Sequence, residues 1–144
     1  MRVRTARPSD VEAIVSGAVR FAAERYPDDE PDPAHMASVV GDLVDSDALA
    51  LVLEGANNEF AGCYLGATIA NLISGKPVAV EILFWVEPKF RGHGRSLLAY
   101  VEDWARSQGC GSAVLSRPET AERAGKVFEA WGYVPCERHY RKVL

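Results

Sequence analysis

No stretch of the 144-residue chain approaches the roughly 20 consecutive apolar residues of a membrane-spanning helix. The start, Met1-Arg2-Val3-Arg4-Thr5, does not lead into the apolar segment of a signal peptide. No membrane partner is therefore expected. Cysteine is scarce: Cys63, Cys110 and Cys136 are an odd number without C-x-x-C spacing. That argues against a disulfide scaffold or a cysteine-bound zinc and fits a reducing, cytoplasmic setting. Histidine is equally rare, and neither His35 nor His139 has a partner at metal-ligand spacing, so no metal is expected. Basic residues do not predominate. The 16 Lys and Arg against 20 Asp and Glu leave a net charge of −4, which makes nucleic acid an unexpected partner.

What is present is an ordinary globular mixture, 48% hydrophobic and 25% charged. A chain of this length buries roughly 68–70% of its unfolded surface without staples, and residues 1–144 read as one domain. The charge is unevenly spread. Residues 1–86 carry 13 acids and 6 bases, whereas residues 87–144 carry 7 acids and 10 bases. The split suggests two kinds of ligand chemistry in one molecule.

The spacing of apolar residues predicts a short first strand at 3–6. A helix follows to about Glu24, entered by a capping box of Ser9 and Glu12 and facing inward with Val11, Ile14, Val15 and Ala18. Residues 26–33 hold three prolines and four acids and cannot be regular. Asp32 and Pro33 then fit the cap and first position of a second helix carrying Met36, Val39, Val40, Leu43 and Val44. Three strands follow at 48–54, 61–71 and 78–86, joined by short turns and hence antiparallel. A third helix carries Leu97, Leu98, Val101, Trp104 and Ala105 and ends near Gly109. A short strand at 112–116 precedes a fourth helix capped by Thr120, with Ala124, Val127, Phe128 and Trp131 inward and Gly132 as its stop. Residues 133–144 read as one or two closing strands. The order is β-α-α-β-β-β-α-β-α-β(-β), an α/β fold with a mixed, mostly antiparallel sheet flanked by helices.

The most informative run is residues 80–98, where a buried strand passes through Arg91-Gly92-His93-Gly94-Arg95-Ser96 into a long helix. Gly92 and Gly94 let backbone approach a bulky anion, because no Cβ intervenes. Free amides of the first helical turn and the helix dipole favour a pyrophosphate there, and Arg91 and Arg95 add charge. The loop is neither a Walker A sequence nor a dinucleotide fingerprint, since Leu97 occupies the place of the third glycine.

The run Arg91 to Ser96 resembles the R/Q-x-x-G-x-G/A element of the GNAT superfamily of acyl-CoA-dependent N-acyltransferases. Phe84-Trp-Val-Glu-Pro-Lys-Phe90 is similar to that family's central strand and the turn after it, and residues 121–133 resemble its later helix. The resemblance extends over nearly the whole chain. It implies acetyl-CoA as acyl donor and an amine as acceptor. Main chain around Phe84, Trp85 and Val86 would pair with the pantetheine arm in a slot between strands 78–86 and 112–116. The amides of Gly92, His93, Gly94, Arg95, Ser96 and Leu97 would hold the pyrophosphate. Homodimers are common among relatives, which makes a homodimer a candidate assembly. The chain departs from the family pattern at three places. Ser96 replaces Gly or Ala, and its hydroxyl is a candidate phosphate donor. Ala121 replaces an Asn, and Phe128 replaces a Tyr that often protonates the leaving thiolate. The last two departures motivate an alternative, a non-catalytic acyl-CoA-binding or regulatory module. A thiol of pKa about 8.5 nevertheless leaves tolerably without an acid.

Acyl transfer to an amine requires a base, because an ammonium like that of Lys has a pKa of about 10.4. Glu81 is the only charged residue between Val78 and Val86, and apolar neighbours raise a carboxyl's pKa. Strict alternation would turn it the same way as Ala79, Leu83 and Trp85. A solvated Glu81, or one paired with Arg117, is the alternative. The acidic loop at 26–33 is expected to draw a cationic amine, with a merely solvated loop as the competing reading. Tyr133 and Tyr140 are reserve proton donors.

Overall fold

The computed structural model describes residues 1–142 and 144. Among the described residues, five strands form one sheet in the order β1-β2-β3-β4-β5: β1 (Arg2–Thr5), β2 (Leu49–Glu54), β3 (Phe60–Ala70), β4 (Pro77–Val86) and β5 (Ser112–Val114). The first four pair antiparallel, and β5 joins β4 in parallel. The α-helices of the described residues flank the sheet: α1 (Val11–Arg25), α2 (Pro33–Val44), α3 (Gly94–Ser107) and α4 (Glu122–Ala130).

β2 is buried at every position because both of its faces are covered. Val52, Cys63, Leu65, Leu83 and Trp85 pack with Ile14, Val15 and Ala18 of α1 and with Val40 of α2. Leu51, Leu53, Tyr64 and Phe84 lie on the opposite face with Leu97, Leu98 and Val101 of α3. Each such large side chain contributes roughly 1.5–3 kcal/mol through burial. Asp32 caps α2 as its spacing predicts, its side chain accepting from the His35 amide at 3.0 Å. The expected Ser9–Glu12 box does not form. A 3₁₀ turn at Pro8–Asp10 precedes α1, and Asp10 accepts from the Arg7 amide at 2.7 Å. Arg4 selects Asp10 for this role, since its guanidinium reaches Asp10 at 2.7 Å and Glu54 at 2.5 Å and ties the helix entry to the sheet. Nor does Thr120 cap α4, whose N-cap position is Ala121.

The closing strands expected at 133–144 are absent among the described residues, with residue 143 outside them. Pro135 lacks an amide for a ladder, and five charged or His side chains crowd residues 137–142. Ion pairs hold this segment instead: Arg138 meets Glu119 at 3.2 Å and Arg141 meets Asp29 at 2.7 Å.

Candidate active site

β4 and β5 pair only from Val78 to Val80, against Ser112 to Val114. Beyond that point they part. The gap opens into a cleft of about 450 Å³ walled by β4, the residues after β5, the first turn of α3, one side of α4 along its length, and the last turns of α1.

A β-bulge decides what faces this cleft. Leu65 pairs with Leu83, but Gly66 pairs with Glu81, so Ile82 is an extra residue in β4. The surplus residue reverses the alternation. Glu81 therefore shares its face with Phe84 and Tyr64, not with Leu83 and Trp85 as strict alternation predicts. Tyr64 registers this proximity, because burial first and the Glu81 charge second push its phenol upward. Gly66 is required beside the bulge, since a Cβ there would lie 2.6 Å from the Tyr64 ring and 2.8 Å from the Val80 carbonyl oxygen.

The Glu81 carboxylate accepts from the Ser116 amide at 3.0 Å and from the Phe84 amide. It thus bridges the strands where they separate. Its expected alternative partner, Arg117, turns elsewhere and donates to the Pro118 and Glu119 carbonyls. Burial pushes the Glu81 pKa up to about 7, against the opposing pull of the two amide bonds. Desolvation of the carboxylate is thus the larger effect.

At the other end of the cleft the chain turns through a 3₁₀ segment, Pro88–Phe90, into α3. Gly92 sits at φ +105°, where a side chain would be strained. Gly94 has an ordinary φ but no room: a Cβ would meet Phe84 Cζ at 2.9 Å and Val86 Cγ2 at 3.2 Å. The two glycines thus serve different ends, one making the turn and the other letting α3 close on β4. The His93 amide donates to the Phe90 carbonyl at 3.2 Å and the Ser96 amide to the His93 carbonyl at 3.2 Å. Gly94 and Arg95 present first-turn amides without a carbonyl four residues back to receive them.

Of the residues expected to hold the donor, Phe84, Trp85, Val86, Arg91, Gly92 and Gly94 line the cleft. His93, Arg95, Ser96 and Leu97 do not line it with their side chains. Leu97 is core, fully buried under the sheet. Arg95 runs along α3 to Glu102 at 2.7 Å. The Ser96 hydroxyl donates to the His93 carbonyl at 2.7 Å, which takes its only proton. Arg91 crosses the cleft to Glu24 of α1 and lies over the Trp85 ring, 5.5 Å from its centroid. Trp85 is fixed in turn by its indole, which donates to Glu87 at 3.0 Å, and Glu87 also holds Arg20.

Phe128 of α4 stacks on Phe84 with centroids 6.2 Å apart. Behind it, Tyr133 donates to Glu102 at 3.3 Å, on the side of α4 away from the cleft. Ser116, Arg117, Phe21 and Glu24 also line the cleft. No motif marks them. Their placement depends on where β5 ends and where α1 crosses the sheet.

The site fits an elongated acyl-CoA. Parted strands leave room for an amide-bearing arm, and the α3 turn, cleared of side chains at Gly92 and Gly94, offers amides to phosphate. Such a fold and cleft are those expected of an acyltransferase that takes an acyl-CoA. Residues 14–133 match the GNAT acetyltransferase family, and the chain belongs to that family. It is 25% identical over 138 residues to the aminoglycoside N(6')-acetyltransferase type 1 of Stenotrophomonas maltophilia, covering 94% of this chain and 88% of that protein. Two solved structures share the fold. A ribosomal-protein-alanine N-acetyltransferase from Brucella melitensis biovar Abortus 2308 superposes with a TM-score of 0.77 at 17% identity, covering all of both chains. An acetyltransferase from Trypanosoma brucei does so at 0.76 and 18% identity, covering 99% of each. The family's reaction is acyl transfer from acetyl-CoA to an amine, and the first two of these relatives are N-acetyltransferases by name.

Proposed function

We propose that residues 1–144 form one cytoplasmic N-acetyltransferase domain. In a ternary complex it moves the acetyl group of acetyl-CoA to a primary amine of a small molecule or protein, with Glu81 as general base. The observation that carries this reading is the placement of Glu81 at the parting of β4 and β5, with its pKa pushed up to about 7.

The α3 turn is the seat for the donor's phosphates: Gly92 and Gly94 line the cleft, and the first-turn amides of Gly94 and Arg95 are available to an anion, with those of His93, Ser96 and Leu97 next to them in the same turn. Phe84, Trp85 and Val86 offer main-chain groups along the arm. When bound, acetyl-CoA supplies a thioester carbonyl as the electrophile. Glu81 takes a proton from the incoming ammonium, and a pKa close to working pH makes it both available and basic enough. Main-chain amides near Trp85 and Val86 stabilise the charge that develops on the carbonyl oxygen. Phe128 has no proton to donate. Departure of a thiol of pKa about 8.5 tolerates this, with water as the proton source.

The test is release of CoA thiol from acetyl-CoA by the purified chain against a broad amine panel. Turnover by the wild type, with a loss of about 10²-fold or more in Glu81→Gln, is expected. Donor binding without release on any amine would point to the binding-module alternative, and full activity of Glu81→Gln across the pH range would remove the base.

A further inference from the structure

The charges around the cleft do not suit a polycationic acceptor. Four guanidiniums line it, Arg25, Arg91, Arg117 and Arg123, against two carboxylates, Glu24 and Glu81. Neither carboxylate is free. Glu24 lies between Arg91 and Arg25, the latter at 3.3 Å, and Glu81 is held by the Ser116 and Phe84 amides. The acidic loop at 26–33 does not compensate, because none of its residues lines the cleft and its Asp29 is engaged by Arg141. A second ammonium on the acceptor would meet a net positive wall, which repels it.

Arg117 is placed to act on an acceptor. It follows Ser116, whose amide holds the base, and it has no carboxylate partner among the described residues. Arg91, in contrast, stands at the phosphate end. From Glu81 to Val86 the strand runs roughly 15 Å at about 3.3 Å per residue, so a donor phosphate on the α3 turn lies far from residue 116. Two carbonyls, of Pro118 and Glu119, take bonds from Nη1 at 3.1 and 3.0 Å and steady the guanidinium. Its other donors remain for an anion, which a guanidinium binds in a two-point fork.

We infer that the acceptor carries an anionic group, such as a carboxylate, beside the amine to be acetylated, and that Arg117 is the specificity-determining residue that anchors it. This rests on the acetyltransferase reading of the same cleft and adds the chemical class of the acceptor.

The experiment compares kcat/KM, with acetyl-CoA fixed, for amino acids and dipeptides, for their C-terminal amides, and for an aminoglycoside. Carboxylate-bearing amines should exceed their amides by about tenfold or more, as expected for one charge-assisted pair, and exceed the aminoglycoside too. Arg117→Gln should collapse that ratio through acceptor KM, and Arg117→Lys should retain part of it. A readout without turnover is the melting temperature in the presence of CoA. Carboxylate amines should raise it more than their amides in the wild type, and equally in Arg117→Gln. Preference for the aminoglycoside or the amides, no difference in melting, or a rise in acetyl-CoA KM in Arg117→Gln would each overturn the inference. Failure of the acetyltransferase reading looks different: the chain would not bind acetyl-CoA, or would bind it and release no CoA with any amine.

Discussion

The Ser116 amide donates to Glu81 at 3.0 Å across the point where β4 and β5 separate. One hydrogen bond thereby fixes the candidate base and the edge of the donor slot together. Because the donor is main chain, only proline at residue 116 would remove it, whereas Glu81→Ala removes the acceptor and should disturb both. The bond also limits how far burial can raise the carboxyl pKa, because the amide favours the charged form.

The first prediction concerns pH. The Glu81 pKa is raised to about 7, so the base form predominates only above that value. The acetylation rate, kcat/KM for the amine, should rise with pH through about 7 toward a plateau. Glu81→Gln should lose that limb along with roughly 10²–10⁴-fold in rate. A pH profile of both proteins checks it.

The same shift makes a stability prediction of opposite slope. A folded-state pKa above the ordinary carboxyl value means the native state holds the proton more tightly than the unfolded chain. The resulting stability is complete below about pH 4.5 and is lost as pH rises through about 7. Glu81→Gln, uncharged throughout, should therefore gain on the wild type in melting temperature from pH 5 to pH 8.

Gly94→Ala places a methyl 2.9 Å from Phe84 Cζ and 3.2 Å from Val86 Cγ2. Either α3 or the β4 side chains must move. Overpacking of this kind costs about 1–3 kcal/mol, and displacement of the first-turn amides should weaken acetyl-CoA binding by about tenfold or more. Calorimetric titration with CoA, beside a melting curve, separates the two effects.

Phe128→Tyr restores a proton donor where the ring already lines the cleft. Because the thiol leaves tolerably alone, the gain in kcat should stay below about tenfold. A new falling limb should appear toward the tyrosine pKa of about 10. A gain of several hundredfold would show that thiolate departure limits the natural enzyme.

Leu97 is fully buried between α3 and the sheet. Leu97→Ala should cost about 2–5 kcal/mol in urea denaturation. Its effect on turnover should vanish at temperatures where the variant remains folded.

Local chemistry made much of this molecule legible. The Asp32–Pro33 start of α2 follows from capping, and the apolar stripes of α1 and α3 follow from helical period. The α3 turn was recognisable because its glycines meet two needs, φ +105° at Gly92 and close packing at Gly94. The orientation of Glu81 was not legible. Alternation is a rule for unbroken ladders, and only the pairing with β3 shows that Ile82 interrupts one. The helix entry at Arg7–Asp10 escaped for a similar reason, because Arg4 and Glu54, distant in sequence, choose between two local capping arrangements. The irregular course after α4 follows from Pro135, which lacks a ladder amide, and from the charged and His side chains of residues 137–142, which outweigh the apolar residues that suggest closing strands.

The bulge has a bearing on how this enzyme tolerates change. Ile82 is half exposed, so many side chains should serve in its place. Deleting it would leave Glu81 directly before Leu83 and still opposite Gly66, in a regular ladder with the carboxylate on the side of Phe84. One residue added to β3 between Leu65 and Gly66 would do the reverse, giving Ile82 a partner and turning Glu81 to the side of Leu83 and Trp85. The direction of the base thus depends on β3 being one residue shorter than β4 across this stretch, a property of the neighbouring strand and not of the residue at 82.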